Sequence, residues 1–193
     1  MKLRLLLTLG LMSMISACST APKYVVVSPE LIGYSKGVYF DNKIQLNVSD
    51  QRSSNYIVQI IKDDEPAKLL SSQSSLTSII KETISPVFRQ QGLGIDTFSN
   101  VQVDIIIDNA LINVQQSLVS YKAQNTIALK VLVRNGDTVL TKNFNISGSS
   151  NGPLKADIAV LERDFNNQLA ATLVKITNNV EIQSAIKTPG NTF

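Results

Sequence analysis

From residue 44 onward, apolar and polar positions alternate in long stretches. Ile44, Leu46 and Val48 are each followed by a polar residue, the two-residue period of a half-buried strand. Asp50-Gln51-Arg52-Ser53-Ser54-Asn55 interrupts that run. Residues 56–62 predict a second strand, Asp63-Asp64-Glu65-Pro66 a turn, and residues 67–70 a short return strand. Farther on, Val101, Val103, Ile105 and Ile107 alternate, and Ile112 and Val114 continue on the opposite parity. That change of phase near Asp108-Asn109-Ala110 predicts a bulge in one long, strongly bent strand. Tyr121, Ala123, Ile127, Leu129, Val131 and Val133 keep a period of two. Asn135-Gly136 then predicts a tight hairpin with positive φ at both residues, and residues 139–146 return antiparallel. Gly148-Ser149-Ser150-Asn151-Gly152-Pro153 reads as a loop.

Two stretches switch to helical spacing. Leu76, Ile80, Ile84, Val87 and Phe88 share one face, a serine of Ser71-Ser72-Gln73-Ser74-Ser75 caps the start, and Gly92 stops the helix. Pro86 lies inside and deletes one backbone bond, which predicts a kink. Ile158, Leu161, Phe165, Leu169, Leu173, Ile176 and Val180 trace a single long helix, with Glu162, Arg163, Asn167, Lys175 and Asn178 on its other face. The order β-β-α-β-β-β-α predicts an α+β two-layer sandwich. In it, a mostly antiparallel sheet of four to five strands carries both amphipathic helices on one face.

The N-terminus follows a different logic. Lys2 and Arg4 precede an apolar run over residues 5–15 that is too short to span a bilayer, and Ile15-Ser16-Ala17-Cys18 follows. An ordinary secretory signal places small residues one and three positions before the cut, and here the third position back is Ile15. Ile15-Ser16-Ala17-Cys18 resembles a bacterial lipobox, in which the cysteine is acylated and becomes the new N-terminus. Two or three acyl chains, each methylene contributing about 0.8 kcal/mol, would anchor stably where one holds marginally. Ser19 follows Cys18 where an inner-membrane retention signal resembles Cys-Asp, so the expected location is the outer membrane, facing the periplasm. The expected organisation is a signal over 1–17, a lipidated N-terminus and tether over 18–43, one domain over 44–187 and a frayed tail over 188–193. Tyr24-Val25-Val26-Val27 is too apolar for a purely solvated linker, so part of the tether is expected to lie on the domain as an edge strand.

Composition narrows the chemistry. The formal charge of +3 shrinks to about +1 once Lys2 and Arg4 leave with the signal, which gives no electrostatic footprint for nucleic acid. The chain has no histidine, which removes His-based triads and His zinc sites, and its single cysteine is Cys18. Ser78-Ile79-Ile80-Lys81, Ser149-Ser150-Asn151 and Lys187-Thr188-Pro189 follow the order of penicillin-binding motifs. The third ends in proline where those enzymes have glycine, and short motifs in a serine-rich chain match by chance. Asp63-Asp64-Glu65 lacks the spaced ligands of a calcium loop and reads as a solvated turn. Asp50 and Arg52, two apart at a strand exit, form a structural pair or, alternatively, a partner contact.

The chain resembles the YajG family of bacterial lipoproteins. The resemblance rests on the lipobox, Val27-Ser28-Pro29, Ser49-Asp50-Gln51-Arg52, Gln90-Gln91-Gly92, Asn135-Gly136, Thr141-Lys142-Asn143-Phe144 and the C-terminal amphipathic helix, in order from end to end. It implies an outer-membrane lipoprotein and supplies no mechanism. The expected function is a non-enzymatic accessory module without cofactor or metal, held to the membrane by lipid on Cys18 and bound to another envelope protein. The alternative is a module that holds a lipid or glycan between helices and sheet.

Overall fold

A computed structural model describes residues 24–40 and 42–187. Among them are strands β1 (Tyr24–Val25), β2 (Lys43–Asp50), β3 (Tyr56–Lys62), β4 (Glu65–Ser72), β5 (Gly94–Ile95), β6 (Gln102–Gln116), β7 (Ser120–Asn135) and β8 (Thr138–Pro153). Helices α1 (Leu76–Gln90), α2 (Ile158–Thr177) and α3 (Val180–Lys187) complete the set. Cys18 and the tail from residue 188 lie outside the described residues.

Fifteen-residue β6 is the axis of the sheet. Its first half pairs in parallel with β2, from Gln102 to Ile107, and its second half in parallel with β3, from Ile112 to Gln116. These two strands therefore lie end to end along one edge of β6. On the other edge β7 runs antiparallel over the full length, with the ladder shifting between Ile107 and Asn109, where the change of phase predicts a bulge. β8 continues outward from β7. β4 lies outside β3, β1 outside β4, and β5 outside β2.

The sheet differs from the expectation of four to five mostly antiparallel strands. It has eight among the described residues, and the pairings β1–β4, β2–β5, β2–β6 and β3–β6 are parallel. Alternation reveals which face of a strand is buried and carries no information on the neighbour's direction. The α+β class holds. Inward residues such as Ile105, Ile107, Ile112, Val114, Leu129 and Val131 pack with Phe88, Phe165, Leu169 and Leu173 of the helices in one core.

Three local expectations change, and one helix follows its expected course. Residues 148–153 are strand, because β8 pairs with β7 from Thr138 to Pro153. The glycines there make room: a Cβ on Gly148 would lie 2.0 Å from Gln168 Nε2, and one on Gly152 2.8 Å from the Tyr121 ring. The long C-terminal helix is two helices, broken at Asn178-Asn179, where Asn179 Oδ1 accepts from the N–H groups of Glu181 and Ile182 and starts α3. At the hairpin only Gly136 has positive φ; Asn135 is the last, buried residue of β7, and its amide donates to the carbonyls of Ala185 and Ile186. Helix α1 runs through Pro86 to Gln90, with Ser75 as its cap.

Packing also extends to Tyr24, before the boundary at 44 expected from the sequence. β1 pairs in parallel with β4, and the chain then crosses α2 as a strap. Val26 N–H donates to Glu162 Oε1 at 2.8 Å, and Ser28 N–H to Asn166 Oδ1 at 2.9 Å. Asn178 accepts from Ser35 N–H and donates to Gly33 O, both at 3.0 Å. Val25 and Tyr39 are fully buried at either end of the strap.

Candidate functional site

Asp50 and Arg52 occupy the gap between the two strands that share β6. β2 ends at Asp50 and β3 begins at Tyr56, so among the described residues the edge of β6 between Ile107 and Ile112 has no ladder partner. Arg52 fills it. Its Nε lies 2.9 Å from Asp50 Oδ1 and its Nη2 2.8 Å from Asp50 Oδ2, a two-toothed pair. Its Nη1 donates to the carbonyls of Ala110 on β6, at 3.2 Å, and Tyr56 on β3, at 3.3 Å. The Arg52 side chain is 7% exposed and that of Asp50 27%. Burial raises the Asp50 pKa, but hydrogen bonds from the Arg52 side chain and backbone, with its charge, outweigh that and leave the carboxyl below its ordinary range. The arrangement replaces missing ladder bonds with one guanidinium.

A second feature lies between α2 and the strands. Ile112, Asn125 and Gly148 stand side by side across β6, β7 and β8, facing the helix layer. Because Gly148 has no side chain, Gln168 of α2 comes down over it. Together with Ala123, Ser149, Ser150, Leu161, Asp164 and Asn167 they line a cleft of about 300 Å³. Asn125 is 5% exposed, yet among the described residues neither atom of its carboxamide has a hydrogen-bond partner, and Gln168 Oε1 has none either. Buried amides without partners are uncommon, and here they face a cleft of mixed lining, with Ile112, Ala123 and Leu161 beside Asp164 and Asn167.

Residues 32–187 match a family described as uncharacterized lipoprotein, Lipoprotein_16. The chain belongs to that family. The match covers most of the packed domain and does not include the N-terminal Ile15-Ser16-Ala17-Cys18. No curated protein matches it. Among solved structures it is similar to protein XCC0632 from Xanthomonas campestris, of family DUF330, at 12% identity over 82% of this chain and 95% of that one, with a TM-score of 0.56. That likeness is one of fold. Rare lipoprotein B from Shewanella oneidensis aligns at 13% identity over 73% of this chain and 97% of that one, with a TM-score of 0.37. A putative neuraminyllactose-binding hemagglutinin homolog from Helicobacter pylori aligns at 9% identity over 87% and 97%, with a TM-score of 0.39.

The remaining candidates of this Lipoprotein_16 domain scatter. Ser78 hydrogen-bonds the capping Ser75 at the start of α1, Ser149-Ser150-Asn151 lies within β8, and Lys187 ends α3. Asp63 and Asp64 form the β3–β4 turn, and Glu65 pairs with Lys62. Among the described residues, no cluster of three His, Cys, Asp or Glu side chains is placed to hold a metal ion. The cleft is the feature that motif reading missed. Its one signal was Asn125, a polar residue at an inward position of an otherwise apolar alternation between Ala123 and Ile127.

Proposed function

We propose that this lipoprotein is anchored by lipid on Cys18 to the outer membrane, faces the periplasm, and serves as a non-enzymatic docking module for another envelope protein. The observation that carries this reading is β8. Among the described residues its sixteen positions pair with β7 on one side only, and its outward face begins with the exposed Val139 and continues as Thr141, Asn143, Asn145, Ser147, Ser149 and Asn151. A long polar edge of this kind can receive an extended segment of a partner as an added strand, the backbone supplying affinity and the outward side chains selectivity. Photo-crosslinking residues placed at Asn143 and Asn145 in living cells test it. The expected result is an adduct with one envelope protein, lost when Asn145→Pro removes an edge N–H. Adducts confined to positions on α1, with none from β8, would move the docking surface elsewhere.

A second reading has its own observation. The free carboxamide of Asn125 at the floor of the cleft suits a small polar ligand, a glycan in preference to a lipid, because its donor and acceptor match hydroxyl or acetamido groups. Titration of the labelled protein with short cell-envelope glycans, read at the Asn125 and Gln168 side-chain amides, is expected to give saturable shifts that Asn125→Leu and Gln168→Ala abolish. Unmoved resonances exclude this reading.

A further inference from the structure

At the end of the sheet where β6 turns into β7, three aliphatic side chains are held in solvent. The turn is closed by Ser117 N–H donating to Ser120 O at 2.8 Å and by Ser120 N–H donating to Ser117 Oγ at 3.1 Å. Leu118 and Val119 are its outermost residues, 84% and 72% exposed. Leu154, just past the end of β8, joins them through its N–H to Val119 O at 2.8 Å and is 66% exposed. Leu154 also holds a φ of +63°, a conformation that costs a non-glycine residue about 1 kcal/mol or more. A scattered exposed leucine is ordinary, whereas three gathered at one tip, one in strained backbone, form an apolar prong.

Strand β1 runs away from this prong, so its start points toward it. Tyr24 pairs with Ser71, and Ser71 with Tyr56, while Tyr56 and Ala110 share Arg52 Nη1, so Tyr24 stands level with the middle of β6. β1 is parallel to β4, which starts at Glu65 opposite Lys62, and Lys62 pairs with Gln116 at the base of the prong. Going back from Tyr24 the strand direction therefore leads toward the prong. From that level to the prong's base is six strand residues, about 20 Å. Cys18 is six residues before Tyr24, a reach of at most ~22 Å. The opposite end starts at Gln102, eight strand residues from Ala110, or about 27 Å, and its exposed Phe98 lies beyond. Leu118 stands about as far from that level as Gln102 does, so it is the direction of β1, whose start points toward the prong, that favours a bilayer at the prong end over one at the Phe98 end.

Resting on the lipid-anchor reading, we infer that Leu118, Val119 and Leu154 form a membrane-contacting prong, which sets the domain upright on the bilayer that holds its acyl chains. Charges around this end show no cationic excess: Lys62, Lys68, Lys122 and Lys155 stand against Asp63, Asp64, Glu65, Asp157 and Glu162. Contact is thus apolar, to the lipid interface of a zwitterionic surface, without need of anionic headgroups.

The chain contains no tryptophan, so one introduced at a time reports on its own position. The full acylated chain carrying Leu118→Trp, Val119→Trp or Phe98→Trp is reconstituted into phosphatidylcholine vesicles with and without brominated acyl chains. Flotation of the wild-type chain against Cys18→Ser reads the anchor separately. The expected result is flotation that depends on Cys18, with blue-shifted, bromine-quenched emission from Leu118→Trp and Val119→Trp and unquenched emission from Phe98→Trp. Flotation with no quenching at either prong position, or with quenching at Phe98→Trp instead, overturns the prong and leaves the anchor standing. Flotation that survives Cys18→Ser unchanged with no prong quenching overturns both.

Discussion

Arg52 shows how much one side chain can hold when it stands where backbone pairing fails. It bridges β2, β3 and β6 through Asp50 and two carbonyls, and it is almost wholly enclosed. Arg52→Ala takes the guanidinium from both carbonyls and from Asp50, which keeps only the backbone N–H of residue 52 on its Oδ1, and a loss of about 2–3 kcal/mol is expected in denaturant unfolding. Arg52→Lys recovers part of it, since an ammonium cannot span the fork, and Asp50→Ala with Arg52→Ala costs less than the two single changes added. Additive losses would mean that the two residues act separately. The Asp50 carboxyl is held below the ordinary carboxylate range, so its contribution is present above the unfolded pKa and is lost as pH falls through the lower folded one. Asp50→Asn is therefore expected to flatten the fall in stability below about pH 4, measured by urea midpoints at stepped pH. The sequence placed Asp50 and Arg52 at a strand exit, and nothing in it disclosed the carbonyl of Ala110, fifty-eight residues from Arg52. Asn125 stayed hidden for the opposite reason: one polar residue does not break an alternation carried by six apolar neighbours.

At the scale of elements, strong periodicity was reliable and weak composition was not. Isoleucine and valine spacing marked β6 and β7, and the phase change marked the bulge, because a half-buried strand must keep a two-residue rhythm. Ser-Gly-Ser-Ser-Asn-Gly-Pro has turn composition, yet it is strand because β7 beside it offers a full-length ladder and because Gln168 and Tyr121 need its glycines. The break between α2 and α3 was equally concealed, since Ile176 and Val180 stay in helical spacing across it. Asn179 decides that break by capping α3. Asn179→Ala is expected to cost about 1 kcal/mol and to speed amide exchange selectively in α3, including the amides of Glu181 and Ile182. Unchanged exchange there would show that packing of Ile182 and Ile186 alone holds the helix.

For the whole molecule, the two-layer α+β character followed from one-faced helices and alternating strands. The mixed topology did not, because placing β2 and β3 in tandem on one edge of β6 depends on contacts about sixty residues apart. The strap over α2 was foreshadowed only by the apolar run at Tyr24. Its attachments come in series: two ladder pairs at β1, then Glu162, Asn166 and Asn178, with Tyr39 as the last buried anchor. Force applied at the N-terminus loads them one after another, in a peeling geometry, and the sheet behind Tyr39 is loaded only when they are gone. Residues 24–38 then pay out about 50 Å of contour length at low force. The expected trace, with the chain pulled from its N-terminus against residue 187 in an optical trap, is an early extension of about that size before the main rip, and its loss when the strap is crosslinked to α2. A domain stretched between the membrane and a bound partner would thus have a reserve of slack, drawn without unfolding, for a gap that widens.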